Sequence, residues 1–415
     1  MKEVERINMA ESSIPQTVDN SNIPQVFQYR TFRGFWSILK SDSFWATNAR
    51  FSNDAEEQRF GAHVLKILMD DAELKENQSG KISRDASDTI KNSVDENYIL
   101  CFCREDNKLS QWRGYARNGG CSIGFDLGFV RHYSLVDNKD EKRKQHVTAR
   151  ISKVFYMPPQ GEMKNEAYLS LCKKKLLGVG GDVHADYQRQ EIIRRAPYIK
   201  HEGFWEEDEY RLVFCNENGE LDNCIRYKDT DPPTIKTPYV VVKAGDPDLE
   251  KNPCVIRVGI SDKDKEIELA KRLRAVLPKT TVHACHKTSE RQNDLEEEFC
   301  RGCGMRQWKP PGEKDCRTKE EPIYESGLPE NRNCVFISQG NNQEEIHKTV
   351  YGCVKEFDKN IKVWCEGHLP IRSITVGPCE NQATVKESIS YYCKHTYWLQ
   401  DVDIRTSDIP FRNSL

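Results

Sequence analysis

The residues best suited to chemistry stand near the middle of the chain, at an apolar segment typical of a buried strand. This segment, Glu209–Cys215, reads EYRLVFC and is preceded by Glu207. Alternation along a strand places Glu207, Glu209 and Arg211 on one face. A charge buried in an apolar sheet costs several kcal/mol unless it is paired or used. This face therefore predicts either a reactive cleft or a structural network of ion pairs.

Further polar clusters interrupt other apolar segments, and a reactive site would bring several of them together. They are Tyr29-Arg30, Asn53-Asp54 with Glu57, Gln111-Trp112-Arg113 with Tyr115, and Lys200-His201. The structural interpretation pairs Arg30, Arg113 and Arg211 with the nearby carboxylates in a closed core. The functional interpretation has the same groups converging on an open pocket.

Composition excludes several classes of protein. The chain has 415 residues with 62 Lys and Arg against 65 Asp and Glu, a net charge of −3, so no overall charge points to nucleic acid or an anionic membrane. It has no apolar run long enough to span a membrane, and residues 1–16 lack the apolar stretch of a secretory signal. We expect a cytoplasmic location, in which the 16 cysteines stay reduced. The glycine-rich phosphate-binding motifs and the GxSxG nucleophile elbow do not occur.

One cysteine pair raises the question of a metal. Cys300 and Cys303 have the CxxC spacing of a zinc knuckle, and Cys316, Cys334 or His286 could complete a tetrahedral set. One such pair is half of a zinc signature. A structural zinc, a loop that binds nothing and a redox pair all remain open.

The order of periodic segments predicts an α+β fold with a central, mostly antiparallel sheet flanked by helices, followed by strand-helix-strand units. Helices are expected at 31–40, after Asn53-Asp54, at 165–176 and at 184–195. The domain boundaries that follow are a flexible arm at 1–22, a core domain with the candidate site at 24–235, a first strand-helix-strand unit at 236–289, a cysteine-containing insertion at 290–345 and a second strand-helix-strand unit at 346–415.

The two strand-helix-strand units are similar to each other. The first runs from Val255 through Gly259 to Ser289, and the second from Ile374 through Gly377 to Ser407. In both, the interval from glycine to serine is the same, and the order is strand, glycine turn, helix and strand. With few identities, chance similarity of two unrelated units stays an alternative.

The ordered set of motifs resembles a family of bacterial proteins known as domain of unknown function number 2971. The resemblance covers Val26 to Arg412. Its motifs are Tyr29-Arg30, Phe51-Ser-Asn-Asp54 with Glu57, Cys101-Phe, Gln111-Trp112-Arg113-x-Tyr115-Ala116, Gly119-Gly120-Cys-Ser-Ile-Gly-Phe125, Phe204, Glu207-x-Glu209-Tyr-Arg211 and Ile374-x-Val-Gly377 with Ser407-x-Ile-Pro410. The long cysteine-containing insertion is a departure from it. The resemblance implies a component of a mobile or antiphage-defence locus and brings no established activity.

The leading functional hypothesis is an enzyme that uses NAD⁺. An early arginine, a central aromatic segment and a late Glu-x-Glu look like the layout of ADP-ribosyltransferases, with Ser122 as a loose counterpart of their serine motif. That likeness implies that Arg30 holds a phosphate, that Trp112 or Tyr115 stacks nicotinamide, and that Glu209 stabilises the oxocarbenium-like centre while Glu207 steers the acceptor. Arg113 and Arg211 are further candidates for binding the cofactor.

Two alternatives belong to other classes. The first is a non-catalytic sensor or protein-interaction module of a defence or toxin system, in which a protein from the same locus is the partner. The second is a metal-dependent nuclease that uses Asp54, Glu57, Glu207 and Glu209, and it requires these four carboxylates to lie within a few ångströms of one another.

Overall fold

The fold is taken from a computed structural model of the whole chain. The structure describes residues 24–51, 60–65, 67, 97–130, 133–147, 149–157, 194–216, 219–229, 235–245, 255–260, 263–277, 281–285, 297–300, 305–308, 333–338, 343–365 and 367–410. Within these ranges, none of the helices combines the length and the apolar character that crossing a bilayer requires.

The described part of the chain contains twenty strands, five α-helices with the bounds below, a helical segment at residues 60–65 and several short 3₁₀ turns. The strands are β1 (Val26–Thr31), β2 (Phe44–Asn48), β3 (Asn97–Cys103), β4 (Gly120–Phe125), β5 (Tyr133–Val136), β6 (Lys144–Val147), β7 (Ala149–Lys153), β8 (Phe155–Met157), β9 (Ile199–His201), β10 (Glu209–Cys215), β11 (Ile225–Asp229), β12 (Lys236–Ala244), β13 (Val255–Ile260), β14 (Thr281–Cys285), β15 (Glu297–Cys300), β16 (Met305–Trp308), β17 (Asn333–Ser338), β18 (Lys362–Cys365), β19 (Ile371–Val376) and β20 (Asp403–Thr406). The helices are α1 (Phe32–Ser41), α2 (Leu109–Tyr115), α3 (Lys263–Val276), α4 (Gln343–Phe357) and α5 (Gln382–His395).

A large sheet of 12 strands organises the molecule. Its main path runs β20, β19, β4, β1, β3, β2, β12, β5, β6, while β10 pairs with β3 and β7, and β11 pairs with β12. Neighbouring strands are antiparallel except β19 and β20. The predicted α+β class with a mostly antiparallel central sheet is confirmed.

One face of this sheet carries the main core. Phe44, Phe102 and Phe125 meet there edge to face, with ring centroids 4.9 to 5.9 Å apart. Helix α1 covers this face with three buried side chains, Phe35, Ile38 and Leu39. The side chain of Thr31 caps the helix by accepting the N–H of Gly34, and Asp42 ends it in the left-handed backbone region.

A smaller sheet of four strands, in the order β14, β17, β13, β18, lies later in the chain. Its core forms where Val258 and Val363 pack against Leu269, Leu273 and Val354 of helices α3 and α4. The buried residues of both helices recur every three to four positions, as expected for amphipathic helices with one covered face.

The two similar segments do form strand-helix-strand units, but their strands pair differently. Strands β19 and β20 are parallel neighbours in the large sheet, whereas β17 separates β13 from β14 in the small one. Strand β19 also pairs with β4, and its Ile374 and Val376 are fully buried. The large sheet therefore extends beyond the predicted core domain of 24–235, to β12, β19 and β20.

A chain of polar contacts links α1 with the segment between the two sheets. The Nδ1 atom of His368 lies 2.6 Å from Oδ2 of Asp42, and its Nε2 atom lies 2.6 Å from the hydroxyl of Tyr397. The second carboxylate oxygen of Asp42 accepts the N–H of Leu369. The His368 ring also stacks on Trp398 at 4.9 Å. One end of α1 is thereby fixed to the segment between β18 and β19.

Several predictions fall outside the described residues. These are the arm at 1–22, the helices at 165–176 and 184–195, the Asn53-Asp54 cap with Glu57, and most of the insertion, including Cys303 and Cys316. Residues 60–65 are helical as expected, and Val64 and Leu65 within them are fully buried.

His347 on α4 should make the protein sensitive to mild acid. Burial, and then the neighbouring His368, lower its pKa from 6.5 to about 4, and its Nδ1 atom is buried without a hydrogen-bond partner. Because the unfolded chain takes up this proton first, folding stability should fall as the pH drops from 6.5 to 4, by about 3 kcal/mol. Urea denaturation of His347→Phe between pH 7.5 and pH 4.5 should show most of this dependence removed.

The matched control for that series is His395→Phe, a change at an exposed position on α5. It should retain the wild-type dependence on pH. If His347→Phe and wild type lose the same stability between pH 6.5 and 4.5, the assignment to His347 is wrong.

Candidate active site

Strand β10 presents Glu209 and Arg211 on one face, as alternation predicts. Nε of Arg211 donates to Oε1 of Glu209 at 2.8 Å, and its Nη2 atom donates to Oε2 at 3.1 Å. The remaining guanidinium nitrogen, Nη1, donates to the carbonyl oxygen of Pro197 at 2.7 Å. Glu209 is 4% exposed and Arg211 3% exposed. The two side chains form a buried, bidentate ion pair, the strongest geometry for such a contact.

Lys200 on β9 contacts this pair and joins it to a second acidic group. Its Nζ atom lies 3.1 Å from Oε2 of Glu209 and 2.6 Å from Oε2 of Glu207. The same ammonium sits 4.7 Å from the centre of the Phe204 ring. We call Lys200, Glu207, Glu209 and Arg211 the ion network.

The ion network keeps Glu209 ionised. Burial by itself would raise the pKa of this carboxyl, but the opposing charges of Arg211 and Lys200 outweigh it and lower the pKa to about 2. The backbone N–H of Glu209 donates to the hydroxyl of Tyr156. Glu209 is a carboxylate with both oxygens bonded to cations, so it is a poor proton acceptor.

Glu207 does not lie on the strand, contrary to the alternation argument. It ends a 3₁₀ turn, Glu202–Glu207, and Asp208 then adopts a left-handed backbone with φ of 41°. This turn moves Glu207 out of the pleat, and only Lys200 brings it back towards Glu209. Its side chain keeps 29% exposure, and only Oε2 has a described partner. Glu207 is therefore the accessible carboxylate of the network.

An interruption in the strand pairing leaves a gap at one edge of β3 beside the ion network, and we call this gap the cleft. One edge of β3 pairs with β1 at Cys103 and with β2 at Tyr98 and Ile99. Among the strand pairs that the structure describes, none covers this edge between those points. The middle residue there, Cys101, is exposed although its neighbours in β3 are buried. It is the register partner of Arg211, so it shares the face of the ion network.

Arg30, Tyr115 and Glu209 each interact electrostatically with Cys101. Burial, followed by the charge of Glu207, raises the pKa of Tyr115 to about 12, although 44% of the residue is exposed. Burial lowers the pKa of Arg30, an effect that Cys101 and Tyr115 oppose. Burial and then Glu209 raise the pKa of the Cys101 thiol, so it stays protonated and donates to Glu209. We call Arg30, Cys101, Tyr115 and Glu207 the cleft residues.

Trp112 does not reach the cleft, so its expected role in stacking a ligand is wrong. It is 3% exposed, packs edge to face on Tyr29 at 4.6 Å, and donates its indole N–H to Asn107 at 2.9 Å. Arg113, next to it on α2, is exposed and takes no part in the ion network. The predicted lattice of three arginines is therefore wrong as well. Arg211 alone of them enters the network, and Lys200 supplies the second cation.

The closing segment of the chain holds Trp112 in place. A Cβ atom on Gly377 would lie 2.6 Å from the Trp112 ring, so only glycine fits there. Asn107, which accepts from Trp112, also accepts the hydroxyl of Ser407 at 2.6 Å. The backbone N–H of Gly377 bonds Gly120 at the start of β4. The glycine and serine that the sequence marks at 377 and 407 thus support α2 and, through it, Tyr115.

The zinc question stays open in part. Cys300 is the last residue of β15, and Cys303 lies outside the described residues. Within the described part of the chain, no three His, Cys, Asp or Glu residues are grouped as a metal site would need.

Comparison with known families gives one match. Residues 111–212 match the model of a family described as "Protein of unknown function (DUF2971)". This segment supports the expected resemblance to DUF2971. It contains α2 with Tyr115 and the network residues Lys200, Glu207, Glu209 and Arg211, while Arg30 lies outside it. No match to the chain was found among the curated proteins or among the solved structures.

Neutralising Glu209 should destabilise the fold. Glu209→Gln keeps the volume but leaves Arg211 and Lys200 buried without their shared counter-charge, so we expect a loss of about 3 kcal/mol in the free energy of unfolding at pH 7. Wild type should lose the same stabilisation as the pH falls from 4.5 to 2, because the carboxyl has its lowered pKa only in the folded state. Urea denaturation measures both effects. The exposed neighbour Glu206→Gln is the control, and equal stability of the two variants would contradict the network.

The glycine at 377 gives a second test. Gly377→Ala should cost about 1–3 kcal/mol, because the added methyl group forces the Trp112 ring to move. Gly114→Ala, on the same helix as Trp112, has open space around its new methyl group and should be neutral or slightly stabilising. Chemical denaturation compares the two variants. A Gly377→Ala protein as stable as Gly114→Ala would refute the role of this glycine.

Proposed function

We propose that this protein is an enzyme that uses NAD⁺, of the ADP-ribosyltransferase or NAD glycohydrolase type, and that the cleft residues form its active site. The observation that carries the proposal is the open edge of β3, where an exposed residue is ringed by a cation, an aromatic hydroxyl and a carboxylate. This is the combination that a charged dinucleotide with a reactive glycosidic bond requires.

Three of the four cleft residues have a role in this proposal. Arg30 holds the diphosphate, because its guanidinium is partly buried and its Nε atom has no hydrogen-bond partner. Tyr115 offers an exposed ring for nicotinamide to stack on. Glu207 faces the ribose, and Lys200 fixes its carboxylate by one oxygen only.

The chemistry needs one accessible carboxylate. The bond between nicotinamide and C1′ of the ribose breaks, nicotinamide leaves with the electron pair, and positive charge develops on the sugar. The Glu207 carboxylate stabilises that charge. Water or an acceptor then attacks C1′ and releases a proton, which Glu207 receives and passes to solvent. Glu209 is assigned a positioning role, since it holds Lys200 and does not face the substrate.

A second candidate is a non-catalytic sensor or interaction module of a defence system. The buried pairing of Glu209 with Arg211 and Lys200 favours it, because such a network also serves as pure scaffolding. The nuclease alternative has less support. The ammonium of Lys200 lies between Glu207 and Glu209 where a cation would sit, and Asp54 and Glu57 fall outside the described residues. The bacterial setting and the antiphage or toxin role rest on the family resemblance.

Turnover of NAD⁺ tests the proposal. The wild-type protein, incubated with NAD⁺ alone and with a host-cell extract as a source of acceptor and trigger, should release nicotinamide or transfer labelled ADP-ribose. Glu207→Gln should reduce the rate at least a hundredfold, because the charge that stabilises the sugar is lost. Chromatography of nicotinamide and thermal denaturation should be run on the same samples.

The adjacent variant Glu206→Gln is the control and should keep full activity, since this carboxylate is exposed and outside the network. Absence of both nicotinamide release and label transfer in the wild-type protein, with and without extract, would overturn the enzyme proposal in favour of the module. Equal activity of the two variants would overturn the role of Glu207.

A further inference from the structure

An exposed tryptophan stands on a central strand next to the cleft. Trp45 is 40% exposed, although β2 has neighbours on both sides, β3 and β12. The side chains that alternate with it, Phe44 and Ala46, are buried in the main core. The outer face of β2 therefore presents a large aromatic ring to solvent at the middle of a sheet.

A second aromatic ring packs against this one, and we call the stacked pair the platform. Trp45 stacks on Tyr239 of β12, with ring centroids 4.8 Å apart and planes at 25°. Stacked aromatic side chains on a sheet are the usual support for a nucleobase, because every base has a flat π face. Such stacking is worth about 1–3 kcal/mol per base.

A cation stands beside the platform. Thr47 is the register partner of Tyr239, and its hydroxyl accepts from Nζ of Lys228 at 3.3 Å. Lys228 forms no ion pair with the described residues. Its pKa is lowered first by burial and then by the positive charge of Arg30. Lys228 and Arg30 are thus close enough for their positive charges to repel each other, and no described carboxylate lies between them. An anion bound beside both side chains would be stabilised by both charges.

We infer that Trp45, Tyr239, Thr47, Lys228 and Arg30 form a nucleotide subsite, in which the Trp45 ring stacks the base and the two cations hold the phosphate groups. Under the proposed function, on which this assignment rests, the occupant is the AMP half of NAD⁺. The nicotinamide half then lies against Tyr115 and Glu207. Arg30 interacts with both Lys228 and Tyr115, so it links the subsite to the cleft residues.

Charge favours a small nucleotide over a nucleic acid. The chain carries a net charge of −3, and the subsite has two cations. A polynucleotide groove needs a longer basic track to bind successive phosphates. We therefore commit to a mononucleotide unit, and RNA binding becomes an outcome of the test.

Calorimetric titration of the full chain tests the subsite without any need for turnover. ADP-ribose and AMP should bind the wild-type protein. Trp45→Ala and Lys228→Gln should each raise the Kd of ADP-ribose about tenfold, while Trp45→Phe keeps most of the affinity. Nicotinamide mononucleotide, which lacks the adenosine half, should lose little affinity in Trp45→Ala. The control is Tyr391→Ala, a change at another exposed ring, 69% accessible, on α5.

The outcomes separate this inference from the proposed function. If ADP-ribose binds and Trp45→Ala weakens it, the subsite is supported even when NAD⁺ is not cleaved. If NAD⁺ is cleaved but neither variant changes the KM or the Kd of ADP-ribose, the subsite is refuted and the enzyme proposal stands. Failure of AMP and ADP-ribose to bind at millimolar concentration refutes the subsite. Tighter binding of an oligoadenylate RNA, lost in both variants, refutes the mononucleotide assignment.

Discussion

The buried ion network is the constraint on which the rest of the candidate site depends. Two cations and a carboxylate lie almost without solvent between β9 and β10, and each must keep its partners because an uncompensated charge there costs several kcal/mol. The bidentate contact between Arg211 and Glu209 fixes the start of β10. Lys200 then determines where the Glu202–Glu207 turn places its last carboxylate. The buried residues of the ion network thereby set the position of the partly exposed Glu207 carboxylate.

The edge of β3 stays open only if β1 and β2 do not pair with β3 along its whole length. Gln28 donates its side-chain amide to the carbonyl oxygen of Cys101, which replaces one missing ladder contact. On the opposite face, Phe44 packs against Phe102 and closes the gap from below. The cleft is thus open on one side of the sheet and sealed on the other. One face of β3 is therefore polar, while its other face belongs to the dry main core.

Local pattern predicted local structure well, and it failed where distant segments meet. The bounds of β10, the helix after Thr31 and the mostly antiparallel sheet follow from alternation, capping and the order of elements. The displacement of Glu207 depends on a left-handed Asp208, for which a non-glycine residue gives little signal. Trp112 and Tyr115 are equally aromatic in the sequence. The packing of Trp112 against Tyr29 and Gly377, which are distant in the sequence, buries the first ring, whereas the second is exposed. The bridging role of Lys200 likewise needs the contact between strands, although its place in a polar cluster was a usable hint.

The two ends of helix α1 contact different parts of the molecule. Its first turn follows directly on Arg30, and Gly34 lies against the Arg30 side chain. Its last residue precedes Asp42, whose carboxylate contacts the His368 ring and accepts the N–H of Leu369. Both residues lie in the segment that leads out of the smaller sheet. A helix of ten residues is about 15 Å long and behaves as a stiff rod. One stiff element therefore joins the arginine at the cleft to the segment that leads out of the smaller sheet.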